Sequence, residues 1–275
     1  MTRDTRGFTL AELLISTVVM GILGLAMTRI LINDSRFVSK VEAIMNARQA
    51  ARAAMNTMAV ELQMISRGGL TLADRTDIQA LVPYAFGVLC ELQGTSRYAA
   101  LVPTDSLMYS HGVADGIAWR NETADYTTMG VATVVDAAPS MLARCTDWGI
   151  GVPARGRFIQ MEVVNDSLNV GDIFYLYQIV HYRFSTSVDV PGRVALWRRR
   201  GDGVWYELIA PFDESSEFRF FVEATDTAVI VPPANLSQVT GLELRLVGAS
   251  ESTPQSSPRP PSFEITTRLN FLNGQ

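Results

Sequence analysis

The chain has 275 residues, a formal net charge of −5 and a pI near 5.2, with 48% hydrophobic and 19% charged residues. This length accommodates a long helix and one sizeable globular domain. The acidic balance argues against broad nucleic-acid binding, which usually requires a basic surface, so no nucleic-acid partner is expected. The composition is that of an ordinary folded protein with one membrane segment.

The N-terminal region divides into a short basic leader and a long apolar run. Arg3 and Arg6 lie in the leader, which ends at Gly7. The apolar run covers residues 8–32 and contains a single acid, Glu12. A secretory signal peptide has a shorter apolar centre followed by a small-residue cleavage site, which is not evident here. A plain membrane anchor matches the length, because about 20 apolar residues span a bilayer, but it leaves Glu12 unexplained.

The segment Gly7-Phe8-Thr9-Leu10-Ala11-Glu12-Leu13-Leu14 closely resembles the processing site of type IV pilins and type II secretion pseudopilins. The resemblance implies that a prepilin peptidase cuts between Gly7 and Phe8 and that Phe8 is then N-methylated. It also implies that Glu12 pairs with the terminal amine of a neighbouring subunit during assembly, because a cation in an apolar environment needs a partner. The alternative is that Glu12 only reaches towards the membrane surface.

One continuous helix is predicted from residue 8 to about 66, because no proline or charge cluster interrupts this stretch, and Gly68 then ends it. The predicted domains are a cleaved leader at 1–7, a helix at 8–67 with a transmembrane segment at 8–32, and a head at 68–275. Apolar residues recur every three or four positions in the second half of the helix, at Val41, Ile44, Ala51, Met55, Met58, Leu62 and Ile65. We expect this stripe to pack on the head, with a coiled-coil dimer as the alternative.

The head is predicted to be rich in β-strands. Residues 70–172 have weak periodicity and are expected to form an irregular insertion. From residue 173 the pattern alternates more clearly, and Gly201-Asp202-Gly203 signals a hairpin turn. Strands are predicted at 173–184, 194–199, 204–210, 217–223, 242–247 and 263–271. The predicted fold class is therefore α+β, with a long N-terminal helix, membrane-spanning in its first half, packed on an antiparallel meander.

The remaining chemistry of the chain does not indicate a catalyst. Cys90 and Cys145 have no metal-binding spacing, and a disulfide between them is favoured over two buried thiols if the head lies outside the cytoplasm. No catalytic motif occurs, so no enzyme activity, cofactor or metal is predicted. Asp213, Glu214 and Glu217 form an acidic cluster that could bind calcium, although a solvated acidic face is the commoner meaning of such a cluster.

A second resemblance concerns the order of the strands in the head. It rests on His181-Tyr182-Arg183-Phe184, Leu196-Trp197-Arg198-Arg199, Leu208-Ile209-Ala210, Phe218-Arg219-Phe220, Leu242-Glu243-Leu244 and Ile265-Thr266-Thr267-Arg268-Leu269. This order is similar to the head of J-type minor pseudopilins and W-type minor pilins.

The two resemblances together imply a minor pilin-like subunit that primes or caps a type IV pilus or type II secretion pseudopilus. The implied partners are other pilin or pseudopilin subunits in a hetero-oligomeric filament, the prepilin peptidase and the bacterial inner membrane, with the head in the periplasm. Two alternatives remain at the level of the sequence. One is a DNA-uptake pseudopilin, and the other is a membrane-anchored binding protein that does not enter a filament.

Overall fold

A computed structural model of the protein describes residues 9–109, 113–120, 126–131, 133–137, 142–147, 149, 156–162, 167–223, 227–251, 253 and 260–271. Within these ranges the chain forms one long helix and a large antiparallel sheet. The α+β class predicted from the sequence is therefore confirmed. Gly7 and Phe8, the residues of the predicted processing site, lie outside the described residues.

Helix α1 spans Leu10–Leu62, a length of 53 residues or about 80 Å at 1.5 Å per residue. Its first part is exposed, and the part that follows packs on the sheet through Ala43, Ala47, Ala51, Ala54, Met58 and Leu62. The predicted stripe is thus wrong at its start, because Val41 and Ile44 remain 41% and 38% exposed. Small alanine side chains occupy the buried face instead, and they let the helix backbone approach the sheet closely.

The head contains thirteen strands, two short α-helices and one 3₁₀ helix (Leu236–Gln238) within the described residues. The strands are β1 (Leu70–Ala73), β2 (Asp77–Gln93), β3 (Ser96–Leu101), β4 (Gly116–Arg120), β5 (Tyr126–Gly130), β6 (Thr133–Asp136), β7 (Phe158–Glu162), β8 (Ile173–Thr186), β9 (Val194–Arg200), β10 (Tyr206–Phe212), β11 (Glu217–Val222), β12 (Val239–Ala249) and β13 (Ser262–Asn270). The short helices are α2 (Pro103–Ser106) and α3 (Leu142–Asp147).

The long strands β2 and β8 run through the middle of the sheet and join its two halves. They pair with each other, and the other edge of β8 pairs first with β4 and then with β9. The main strand order is β11-β12-β10-β9-β8-β2-β3-β7-β6, while β1, β5 and β13 pair with β2, β4 and β12. The predicted meander is wrong at one place, because β12 lies between β10 and β11 instead of following them.

The stretch 70–172 is expected to be an irregular insertion, but its described residues include strands β1 to β7, which belong to the same sheet. The largest difference is β2, a strand of 17 residues that contains Pro83. Proline lacks an amide hydrogen and usually marks an edge or a bulge, so the sequence around it resembles two short strands. In the structure Pro83 lies opposite Tyr177, and a register shift follows it before Ala85.

The two largest hydrophobic cores of the described residues lie along this sheet. The larger one is enclosed between α1 and the strands of one half, and its biggest fully buried side chains include Tyr182, Phe212, Phe218 and Phe220. The second core is built from the other half of the sheet around Trp119 and Phe174. Because β2 and β8 contribute to both cores, the two halves of the head are held together by continuous strands.

Helix α1 and strand β12 approach each other closely at Gly248. A Cβ atom built on Gly248 would overlap the carbonyl oxygen of Ala47 and would lie 3.2 Å from the Cβ of Ala51. Glycine at this position therefore allows the helix to pack directly on the backbone of the sheet.

Replacing Gly248 with alanine is expected to lower the free energy of unfolding by about 1–3 kcal/mol, because the added methyl group has no room without moving the helix. The measurement is guanidinium unfolding of the full-length protein in detergent, followed by tryptophan fluorescence. Gly130→Ala is the matched control, since the nearest atom to its added Cβ is 3.8 Å away. Equal stabilities of the two variants would contradict the close approach.

Candidate functional site

The first turn of α1 is closed by a reciprocal pair of hydrogen bonds between Thr9 and Glu12. The amide of Glu12 donates to Oγ1 of Thr9 at 3.3 Å, and the amide of Thr9 donates to Oε2 of Glu12 at 3.0 Å. This arrangement is a capping box, which satisfies two amides that the helix itself leaves unpaired. Sequence reasoning missed it, although Thr-x-x-Glu before an apolar run is a readable signal. Glu12 therefore has a local structural partner in the single chain.

Glu12 stands at the start of an apolar surface that the head leaves uncovered. The large apolar side chains from Leu10 to Ile32 are exposed in the single chain. Among the residues that the structure describes, α1 is the one helix whose length and composition allow it to cross a membrane. A lipid bilayer or a bundle of similar helices would remove this surface from water.

The other end of α1 is fastened to the sheet by Glu61. Oε1 of Glu61 accepts a hydrogen bond from Nη2 of Arg198 at 2.6 Å, and Oε2 accepts from Nε of Arg198 at 3.1 Å and from the hydroxyl of Tyr182 at 2.6 Å. Tyr182 is fully buried, and its burial, together with the nearby Glu61 carboxylate, raises the pKa of its phenol well above the usual value. The helix end is therefore held by a bidentate ion pair and by a phenol that keeps its proton.

The predicted acidic cluster is divided between different partners. Glu217 is only 2% exposed, and its carboxylate accepts hydrogen bonds from Nε of Arg75 at 2.6 Å and from Nε of Arg219 at 2.8 Å, with Arg245 at 3.6 Å. Burial acts to raise the pKa of Glu217, but the hydrogen bonds from Arg219 and Arg75 outweigh it and hold the pKa below its usual value. Glu217 is thus a buried ion-pair centre.

Asp213, by contrast, accepts hydrogen bonds from the amide and hydroxyl of Ser215 at 3.0 and 2.6 Å. The three acids therefore do not converge on one point. Across the described ranges, no group of three or more His, Cys, Asp and Glu side chains could hold a metal ion.

Cys90 of β2 and Cys145 of α3 form a disulfide whose Cα atoms are 4.6 Å apart. Both residues are buried, together with Ala100 and the partly buried Phe158. The bond links positions 55 residues apart in the sequence, so it attaches the short helix α3 to the central strand β2.

Replacing both cysteines with alanine is expected to lower the free energy of unfolding by about 2–4 kcal/mol, because the bond restricts a long loop in the unfolded chain. The measurement is guanidinium unfolding of the full-length protein with and without dithiothreitol. The wild-type protein should lose stability in the reductant, and Cys90→Ala/Cys145→Ala should be unaffected by it. A reductant effect of equal size in both proteins would contradict the prediction.

An apolar helix of membrane-spanning length followed by a β-sheet head defines an α+β protein with one long N-terminal helix, whose first part is exposed in the single chain. Residues 2–28 match the family model of the prokaryotic N-terminal methylation motif. This match includes Gly7, Phe8 and Glu12, and it indicates a prepilin-type N-terminus and a pilin-type subunit that assembles with others of its kind. No curated protein and no solved structure matches the chain.

Proposed function

We propose that the protein is a minor pilin-like subunit that primes or caps a type IV pilus or type II secretion pseudopilus. The observation that carries this proposal is the methylation motif at residues 2–28, which continues directly into a 53-residue helix fixed to a folded head. In the proposed mechanism a prepilin peptidase cuts between Gly7 and Phe8, and Phe8 is N-methylated. Glu12 then pairs with the terminal amine of a neighbouring subunit as α1 leaves the inner membrane.

The size of the head supports a minor subunit over a major one. A major subunit repeats at high copy number in a tight helical array, which favours a compact head. Here the described part of the head contains a branched sheet of thirteen strands with two large cores, and the Cys90–Cys145 disulfide attaches α3 to β2. The J-type and W-type resemblance of the strand order from residue 173 onwards is part of the same proposal, as is a periplasmic position for the head.

The rival functions differ from the proposal in their partners. A DNA-uptake pseudopilin would bind a polyanion, and a chain with a net charge of −5 is poorly suited to that. A membrane-anchored binding protein would use residues 8–32 only as an anchor. It would need neither processing after Gly7 nor a carboxylate at Glu12.

The decisive experiment is the intact mass and N-terminal sequence of the protein purified from native membranes. We expect a chain that starts at N-methylated Phe8, and we expect the Gly7→Val variant to start at Met1. A wild-type chain that starts at Met1, in cells with an active prepilin peptidase, would overturn the proposal in favour of a plain anchor. Cleavage after residue 32 would overturn it in favour of a secreted head.

The minor role is tested separately by quantitative mass spectrometry of filaments sheared from cells. We expect far fewer copies of this chain than of the major subunit. Equal copy numbers would contradict a priming or capping role and would leave a pilin-type subunit of the shaft.

A further inference from the structure

The face of the sheet opposite α1 carries a group of side chains that the proposed function does not use. We call Asp77, His181, Arg183, Arg199 and Trp205 the Trp205 cluster. Strand register brings them together, because β8 lies between β2 and β9. In the strand register, His181 lies opposite Arg199 on β9, and Arg183 lies opposite Asp77 on β2.

The alternation of side chains places this cluster on the outer surface of the sheet. Tyr182 and Arg198, the neighbours of His181 and Arg199 along their strands, point towards α1 and contact Glu61. Successive side chains of a strand point to opposite faces. The Trp205 cluster therefore lies on the face turned away from the helix.

Both arginines of the cluster stack on the indole of Trp205. The guanidinium carbons of Arg183 and Arg199 lie 4.2 Å and 4.9 Å from the ring centroid, and the imidazole of His181 lies 4.7 Å from it. These are cation–π distances, so the indole of Trp205 contacts both guanidinium groups. The Nε atoms of Arg183 and Arg199 are buried and have no hydrogen-bond partner.

The nearby acids are already engaged. Nη2 of Arg199 can only donate, so Nδ1 of His181, 3.2 Å away, accepts, and Nε2 of His181 donates to Asp77. The Asp77 carboxylate is thus engaged by the imidazole of His181. Glu207, which is paired with Trp197 on the same face, accepts from the hydroxyl of Ser187 and from the amide of Val188.

As a result, no carboxylate in the described part of the chain lies within ion-pair distance of Arg183 or Arg199. Two guanidinium groups contact one aromatic ring, and the Asp77 carboxylate on the neighbouring strand offsets at most one of their two positive charges, so the cluster keeps a net positive charge. A guanidinium group presents a planar set of donors that fits a carboxylate through two parallel hydrogen bonds.

We propose that the Trp205 cluster binds carboxylate side chains of an acidic protein segment. Arg183 and Arg199 donate to the carboxylates, and Trp205 fixes the two arginines in place. The negative net charge of the whole chain disfavours a long nucleic acid as the occupant and leaves a short acidic segment, whose charge is concentrated at the site. The assignment of that segment to a neighbouring filament subunit rests on the proposed function.

The test is a titration of the full-length protein in detergent with hexaglutamate blocked at both ends, using blocked hexaglutamine as the neutral probe. Binding is followed by the indole N–H resonances, and the Trp205 signal is assigned with Trp205→Phe. We expect saturable binding of hexaglutamate that shifts the Trp205 resonance, and no binding of hexaglutamine. Arg183→Gln/Arg199→Gln should weaken binding at least about tenfold, which corresponds to about 1.4 kcal/mol.

Arg200→Gln is the matched control, since Arg200 follows Arg199 on β9 but points towards Glu61 on the other face. It removes one positive charge, half of what the double variant removes, and it should change the affinity by less than about twofold if the effect is local. Should the double glutamine variant not fold, Arg183→Lys/Arg199→Lys keeps both charges and should still weaken binding by removing the planar donors.

The absence of hexaglutamate binding, or equal weakening by Arg200→Gln, would overturn the proposal. Neither result would alter the N-terminal mass of the protein, so failure of this site and failure of the filament function are distinguishable.

Discussion

Replacing Glu12 with glutamine is expected to remove the protein from filaments while leaving helix α1 intact. Glutamine can take the place of glutamate in a capping box, so the hydrogen bonds with Thr9 can be kept. The negative charge is lost, and with it the proposed pairing with the terminal amine of a neighbouring subunit. We expect the amount of the chain in sheared filaments to fall at least about tenfold, a cost of about 1.4 kcal/mol or more.

Two further variants separate the charge of Glu12 from its local hydrogen bonds. Thr9→Ala removes the capping hydroxyl and keeps the charge, so this variant should still enter filaments. Glu12→Ala removes both and should behave like Glu12→Gln. If Glu12→Gln assembled normally and Glu12→Ala did not, the carboxylate would serve the helix end, and the pairing hypothesis would be wrong.

Replacing Glu217 with alanine is expected to produce the largest loss of stability among single substitutions in the head. It would leave Arg75, Arg219 and Arg245 around a buried site with no acid at its centre. Removing one partner of a buried ion pair typically costs about 3–5 kcal/mol. We expect the lower end of this range, because the three arginine side chains are 26–52% exposed. Two of them also keep other partners, Arg219 with Glu243 and Arg245 with Glu264. The measurement is again guanidinium unfolding of the full-length protein in detergent.

Glu264→Ala is the matched control for Glu217→Ala. Glu264 pairs with the same Arg245 at 2.8 Å, but its side chain is 49% exposed. Exposed ion pairs contribute at most about 1 kcal/mol, so this variant should be close to the wild type. Similar losses in the two variants would contradict the view that burial gives Glu217 its effect.

The carboxylate of Glu217 also makes the free energy of unfolding of the head depend on pH. The pKa of Glu217 in the folded protein lies below its ordinary value of 4.5, so its ionised form favours the folded state. Its contribution to stability is fully present above the unfolded pKa and is lost as the pH falls through the lower folded pKa. Glu217→Gln should therefore lose less stability than the wild type on acidification from pH 6 to pH 3. An identical acid dependence would rule out Glu217 as its source.

The sequence alone predicted those elements of the fold for which local signals agree with the tertiary structure. The apolar run after Gly7 predicted α1, and Gly201-Asp202-Gly203 predicted the hairpin between β9 and β10. The alternation in 217–223 predicted β11, with Phe218 and Phe220 on its buried face. Each of these features depends on residues within a few positions of one another.

Features set by distant contacts were not predictable in this way. The position of β12 between β10 and β11 depends on a pairing across the sheet, as in the contact of Phe212 with Gly248. Alanine is only weakly hydrophobic, so the buried face of α1 does not stand out from the rest of the helix in the sequence. It can be recognised as a packing face only once the structure places Gly248 beside Ala47. In 70–172, strands β2 and β4 are placed by their pairing with β8, and their own sequences show only weak alternation.

The candidate sites follow the same division. Glu12 could be identified from a local motif. The Trp205 cluster depends on the register of three strands and on the loop that brings Trp205 over them. Its signal in the sequence is limited to polar residues within the predicted strands, His181 and Arg183 at alternate positions of one strand and Arg199 at the end of the next. That pattern indicates an outward-facing surface without indicating what the surface binds.

Helix α1 is uninterrupted between Ile32, where the apolar run ends, and Ala43, its first buried residue. This segment therefore fixes the rotation of the head about the helix axis relative to the apolar run. Each residue of an α-helix advances the chain by about 1.5 Å and turns it by about 100°. One residue inserted in this segment would therefore rotate every surface of the head by about 100° relative to Glu12. Seven would lift the head by about 10 Å and bring it back to within about 20° of its original direction. The number of residues in a plain stretch of helix thus decides which face of the head meets a neighbouring subunit.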